Sequence, residues 1–241
     1  MIAIDVQNLT KEYKDVTAVD SLYLQIEQGE LFSLLGVNGA GKTTTVKMLC
    51  TLTQPTSGDA FLLGSSILTQ NTEVKKVIAV SPQETAIAQN LTVEENLRLM
   101  AGLHGFDKAQ TQEKVQALSK TFGLESILNK RAGKLSGGWQ RRLSIAMALI
   151  CQPKILFLDE PTLGLDVLAR SDLWDVIRAL KGKITIVMTT HYMEEAEALS
   201  DRIGIMKDGK LLCLGNVDEL KQRANTDNFE QAFIRIVKGG V

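Results

Sequence analysis

The sequence predicts an α/β fold: a mostly parallel sheet carrying a glycine-rich loop, an antiparallel β region from the N-terminal strands, and an inserted helical subdomain. Three observations predict it. The first strands alternate apolar and polar residues, as half-buried antiparallel strands do. Short apolar runs separated by helical patterns return in the last third, as in a parallel sheet with covering helices. Between them, residues 92–150 read as helix.

In order, Ile2, Ile4 and Val6 share one strand face, and Leu22, Leu24 and Ile26 another. A Gln28-Gly29 turn leads into the apolar strand Leu31-Phe32-Ser33-Leu34-Leu35, which ends in glycines and a helix from Thr43 to Leu52. Pro55, Ser57 and Gly58 break the chain before a strand at Ala60 to Leu63, and Lys75 to Val80 reads as a strand running into Ser81-Pro82-Gln83. Thr92 and Glu95 form a capping box for a helix with Val93, Leu97, Met100 and His104 on one face. A second helix is expected from Lys108 to Thr121, and a third after Ser136 with Leu143, Ala146, Met147 and Ile150 at helical spacing. Ile155 to Leu158 and Ile184 to Met188 read as buried parallel strands joined by a helix from Val167 to Leu180. Asp208-Gly209 between Ile203–Met206 and Lys210–Cys213 signals a hairpin, and Phe229, Phe233 and Ile236 mark a short terminal helix. The expected organisation is one domain: an α/β core from residues 1–86 and 153–241, with residues 87–152 as the helical insertion.

Composition narrows the class. The 241 residues carry 27 Lys+Arg against 28 Asp+Glu, a net charge of −1, so the chain as a whole is no polybasic nucleic-acid binder, which leaves only a local basic patch open. With 44% apolar residues the chain is too apolar to be disordered, and long enough to bury a core without staples. No apolar run approaches the roughly 18 residues of a membrane span, and no basic region followed by an apolar run marks a secretory signal. Cys50, Cys151 and Cys213 show no metal-ligand or CxxC spacing and are expected to be buried thiols in a reducing compartment. A cytosolic globular protein is the expectation.

The chemistry lies in three segments. Gly36-Val37-Asn38-Gly39-Ala40-Gly41-Lys42-Thr43 matches G-x-x-x-x-G-K-[ST] between a strand and a helix, the P-loop of nucleoside triphosphatases. Its glycines let the backbone approach a polyphosphate, whose charge meets successive N–H groups and the positive helix end. Lys42 would neutralise the β- and γ-phosphates, and the Thr43 hydroxyl would bind Mg²⁺, with Thr44 beside it on the same helix start. This motif alone permits kinases, GTPases, helicases and transport ATPases. In Ile155-Leu156-Phe157-Leu158-Asp159-Glu160, four apolar residues place Asp159 at a strand's carboxyl end beside the nucleotide metal, and Glu160 where it can accept a proton from water. Leu135-Ser136-Gly137-Gly138-Trp139-Gln140 puts a second set of backbone N–H groups on a helix start. One nucleotide does not need two such sites from one chain.

Glycine-rich loop, Leu-Ser-Gly-Gly and Asp-Glu strand, in that order, resemble the nucleotide-binding subunit of an ATP-binding cassette (ABC) transporter over nearly the whole chain. The resemblance implies ATP and Mg²⁺ as ligands and four further site residues. Gln83 would contact the metal and the attacking water and face a membrane subunit. Asp166, in Gly164-Leu165-Asp166, would meet the opposite cassette; His191 would touch the γ-phosphate; and Tyr13 would stack on adenine. It implies two cassettes, identical or paralogous, sandwiching two ATPs, with Ser136, Gly137 and Gly138 of one closing on the nucleotide of the other. It further implies an integral membrane permease as partner, a place on the cytoplasmic face of the membrane, and no nucleic acid.

One position departs from the family: its signature most often has Gln where this chain has Trp139, with Gln140 following. Trp174 and His104 read as packing residues, and Arg141 and Arg142 as a solvated face. The segments 48–58 and 91–97 and the terminal Glu230-Gln231-Ala232-Phe233 resemble drug- and sodium-export ATPases, including the daunorubicin-export type, and no regulatory domain like that of many sugar importers is expected after them. A soluble ABC ATPase of repair, translation or cluster assembly, a P-loop kinase and a non-hydrolysing regulatory cassette stand as alternatives.

Overall fold

The computed structural model describes residues 1–239. The chain begins with strands β1 (Ile2–Tyr13), β2 (Val16–Glu27) and β3 (Leu31–Gly36), followed by helix α1 (Lys42–Leu49). Strands β4 (Ser57–Leu62) and β5 (Ser65–Ser66), helix α2 (Asn71–Val77) and strand β6 (Ile78–Ser81) come next. Three helices follow, α3 (Val93–Leu103), α4 (Lys108–Thr121) and α5 (Gly137–Leu149), then β7 (Ile155–Asp159), α6 (Val167–Leu180) and β8 (Thr185–Thr190). Helix α7 (Met193–Leu199), the hairpin β9 (Arg202–Lys207) and β10 (Lys210–Gly215), and helices α8 (Val217–Arg223) and α9 (Phe229–Val237) complete it.

Two sheets carry the fold. One is antiparallel, in the order β2-β1-β4-β5; the other has six strands in the order β10-β9-β3-β8-β7-β6. In the larger sheet every neighbouring pair is parallel except the β9–β10 hairpin. Its central strands bury every residue, because helices or the second sheet cover both faces. One apolar cluster fills the space between the sheets and includes Ile4, Leu24, Phe32, Val46 and Phe157. A second joins the opposite sheet face (Leu31, Leu156, Leu158, Ile186, Met188) to α3, α4 and α5 through Val93, Leu97, Val115 and Leu143. A third packs α8 and α9 onto β9 and β10 through Leu220, Phe229 and Ile236.

Helix α3 has its expected capping box, with Thr92 Oγ1 accepting from Glu95 N–H and Glu95 Oε2 accepting from Thr92 N–H. Several expectations change. Lys75 to Val77 are helix rather than strand: Val74 packs into the first cluster while Lys75 and Lys76 stay in water, and β6 pairs with β7 only from Ile78 onward. The helix after the glycine-rich loop stops at Leu49, since Thr51 takes a left-handed φ of 58°. Ile2 is exposed at the strand start, and His104 is an exposed helix cap, one residue beyond α3's last packed turn. Cys50 and Cys213 are buried, whereas Cys151 is half-buried, in the turn after α5, with its Sγ 3.4 Å from Ala148 O. Among the described residues no helix is long and apolar enough to cross a membrane.

Parallel strands end at one edge. The segments after β3, β6, β7 and β8 therefore emerge together, and they carry the glycine-rich loop, Gln83, Asp159-Glu160 and His191.

Candidate functional site

A cleft of about 770 Å³ lies at that edge. Its floor is the loop from Asn38 to Thr44, and Tyr13, Gln83, Glu160 and His191 complete its walls. The loop's shape depends on glycine at two places. A Cβ on Gly41 would sit 2.4 Å from Ala18 O, and its φ is 102°; a Cβ on Gly36 would sit 2.4 Å from Met206 O. Gly41 also accepts from Thr45 N–H and Thr45 Oγ1, starting α1 with its first-turn N–H groups at the cleft.

Lys42 is buried, and its ammonium donates to the carbonyls of Gly36 (2.8 Å) and Val37 (3.2 Å). Its Nζ lies 3.8 Å from Glu160 Oε1. Burial lowers the Lys42 pKa, and the charges of Glu160 and Asp159 oppose that shift. Glu160 Oε2 in turn lies 2.9 Å from His191 Nδ1, off the line of a straight N–H···O bond. Glu160 holds a left-handed φ of 45°, and its N–H is secured by Thr189 O (3.1 Å) and Thr189 Oγ1 (3.0 Å).

Asp159 Oδ1 accepts from the hydroxyls of Thr43 (3.2 Å) and Thr189. Two hard oxygen donors, Thr43 Oγ1 and Asp159, thus converge at the loop. Among the described residues no three His, Cys, Asp or Glu side chains form a metal cage. This donor set suits a cation that shares its shell with phosphate oxygens and water, as Mg²⁺ does.

The structure brings together Tyr13, Asn38 to Thr44, Gln83, Glu160 and His191 along one cleft, with Asp159 directly behind Thr43 and Gly36 at the end of β3. Ser136, Gly137 and Gly138 do not line it. They begin α5, where Ser136 is an exposed N-cap and an added Gly138 Cβ would meet Ala169 Cβ at 2.9 Å. Asp166 is also outside the cleft, capping α6 by accepting from Ala169 N–H. Trp139 is half-buried against the second cluster, with the Arg142 guanidinium 4.8 Å from its ring centre and Arg142 paired to Asp172 at 2.7 Å.

Arg142 is therefore tied between two helices rather than solvated, and Arg141 departs further from expectation. It is 4% exposed and donates to the carbonyls of Pro82, Asp159, Glu160 and Pro161. Burial pushes its pKa down to about 10, against the charges of Asp159, Glu195 and Glu160. The spacing held the signal: Arg141 stands four and seven residues before Ile145 and Ala148, on the helix's buried face. Sequence reading also missed Thr189, the hydroxyl joining Asp159 to the Glu160 backbone. Leu163 and Asp208, which line the cleft, carried no recognisable signal. Glu195, fully buried in α7, accepts from Trp174 Nε1 at 3.2 Å, so Trp174 has a polar partner besides its packing.

The sequence pattern described as "ABC transporter" matches residues 19–163, more than half the chain and most of this site. The chain belongs to the ABC transporter family. Its fold agrees: a solved structure described as an ATP binding subunit of an ABC transporter superposes with a TM-score of 0.86 at 26% identity, covering 97% of this cassette and 99% of that chain. The cassette is 40% identical over 240 residues to the probable multidrug ABC transporter ATP-binding protein YbhF of Escherichia coli, covering 97% of itself and 41% of that protein. It is 39% identical over 220 residues to the daunorubicin/doxorubicin resistance ATP-binding protein DrrA of Streptomyces peucetius, covering 91% of itself and 67% of that protein. Human phospholipid-transporting ATPase ABCA3 shares 43% over 224 residues, 91% of the cassette and 13% of the larger protein. The cassette spans less than half the length of YbhF and of ABCA3.

Proposed function

We propose that this cassette binds MgATP in the cleft, hydrolyses it, and so powers a membrane transporter, with export as the direction. The observation that carries the hydrolytic reading is the convergence of Lys42, Glu160 and His191, at 3.8 and 2.9 Å, beside the Thr43–Asp159 pair. In this reading water attacks the γ-phosphoryl in line. Glu160 orients the water and takes its proton. Lys42 and the N–H groups from Gly39 to Thr44 stabilise charge on the phosphate oxygens, and His191, beside Glu160, contacts the γ-phosphate. Thr43, Gln83 and Asp159 would hold Mg²⁺, which when bound offsets phosphate charge. Tyr13, exposed at the cleft rim, offers its ring to adenine.

Two cassettes, identical or paralogous, close on two nucleotides, and Ser136 to Gly138 with Asp166 serve the partner's site. Their position outside their own cleft supports this, as does the exposed apolar pair Val167–Leu168 beside Asp166. A permease engages the surface around Gln83 and the helical segment 87–152, placing the cassette on the cytoplasmic face of the membrane. The names of YbhF and DrrA, a multidrug and a drug-resistance protein, support export. The deciding experiment measures ATP binding and phosphate release for the wild-type chain and Lys42→Ala. Wild-type turnover that is lost with Lys42→Ala, the fold remaining intact, upholds the reading; equal turnover by both overturns it.

A further inference from the structure

Arg141 is a buried cation whose partners are four main-chain carbonyls from two separate segments. Its Nη1 donates to Pro82 O, the residue before Gln83. Its Nη2 donates to Asp159 O (2.9 Å) and Glu160 O (2.7 Å), and its Nε to Pro161 O (2.7 Å). These segments follow β6 and β7, which are neighbouring parallel strands with Ser81 opposite Leu158. The same helix makes one further tie to the first segment, between Ser144 Oγ and Ser81 Oγ at 3.1 Å.

Burying a guanidinium is costly, and packing alone would favour an apolar side chain of similar volume. The planar fork with its five donors is suited to holding several acceptors in fixed relative positions, which an ammonium cannot do. The acceptors are the peptides flanking the two side chains assigned to water and metal. Two of them bracket Glu160, whose left-handed backbone persists only if its neighbours hold it. Gln83 itself makes no such anchor: it is exposed at the cleft wall, so its position follows the peptide before it.

We propose that Arg141 is a positioning residue for hydrolysis, locking the Gln83 loop and the Glu160 backbone to the start of α5 so that both follow that helix. Its side chain does not line the cleft. Helix α5 begins with Ser136 to Gly138, so any displacement of that end would reach both loops through one guanidinium.

This inference rests on the hydrolytic reading above, and its test separates the two. ATP turnover and ATP affinity are measured for the wild type, Arg141→Lys, Arg141→Gln, Glu160→Gln and the Arg141→Lys/Glu160→Gln double variant, at a temperature where melting shows each to be folded. A displacement near 1 Å costs about 10²-fold in rate, so kcat of Arg141→Lys should fall roughly 10- to 100-fold with KM for ATP nearly unchanged. Arg141→Gln, which reaches fewer carbonyls, should lose at least as much. Residues acting through one another are non-additive, so in the Glu160→Gln background the Arg141 substitution should change single-turnover rates by less than about 2-fold. Wild-type kcat in either single variant overturns the proposal. So does an equal fold-loss in both backgrounds, which would make Arg141 independent of Glu160. A wild-type chain with no turnover overturns the hydrolytic reading first, and this inference with it.

Discussion

Glu160 Oε2 lies 2.9 Å from His191 Nδ1, while its Oε1 lies 3.8 Å from Lys42 Nζ. One carboxylate, 8% exposed, thus faces both the Lys42 ammonium and the His191 ring, with the residue's own backbone in a left-handed turn. A side chain held this way is placed to act on a water between loop and histidine.

Glu160→Gln keeps shape and hydrogen-bonding capacity but removes basicity. Loss of a general base typically costs about 10²–10⁴-fold in rate. ATP binding should persist, and because charge beside the γ-phosphate is relieved, the variant should run as a dimer with MgATP and a monomer with ADP on size exclusion. Near-normal turnover would assign the base elsewhere, with His191 next in line.

Ser136 stands exposed at the N-cap position of α5, outside its own cleft and with no side-chain capping bond to lose, so Ser136→Arg should leave monomer ATP binding nearly unchanged and block the ATP-dependent dimer of a Glu160→Gln background. Titration with a fluorescent ATP analogue and light scattering read the two effects separately. Loss of monomer binding would put Ser136 in its own chain's site.

Gly41→Ala forces a Cβ 2.4 Å from Ala18 O at a φ of 102°. The left-handed backbone alone costs of order 1–3 kcal/mol, so denaturant midpoints should fall and nucleotide affinity with them. Gly39→Ala isolates the clash: at a φ of 82° it carries the same kind of backbone cost, but its Cβ would meet nothing within 4 Å, so it should lose less stability than Gly41→Ala.

Glu195 is fully buried, and burial raises its pKa above the ordinary carboxylate value. A raised folded-state pKa means the native chain binds the proton more tightly than the unfolded one. Its contribution is therefore present in full below the unfolded pKa and lost as pH rises through the folded value. Glu195→Gln stays neutral at every pH and can still accept from Trp174 Nε1. Measured from below the ordinary carboxylate value of 4.5 up to pH 8, the melting temperature of Glu195→Gln should rise relative to wild type; a constant or falling difference would refute the assignment.

Local sequence determined the machinery of this chain. The glycine-rich loop, the Asp159-Glu160 strand end and the Ser136-Gly137-Gly138 helix start are contiguous, and their chemistry depends on backbone shape that a few neighbouring residues dictate. Helices Lys108–Thr121 and Val167–Leu180 were equally legible, because caps and 3.6-residue periodicity act within one segment. Other features depended on pairing between distant segments. Lys75 and Val77 became helix because β6 meets β7 only from Ile78, a register that no nearby residue announces. Adjacent arginines read as a wet surface until the carbonyls of Pro82 and Asp159–Pro161, up to 59 positions away, turned Arg141 inward. Thr189 joined the site by the same route, since parallel pairing sets it opposite Asp159 across β7 and β8. A buried polar group is decided by the partners that satisfy it, and those partners come together only when the sheet closes.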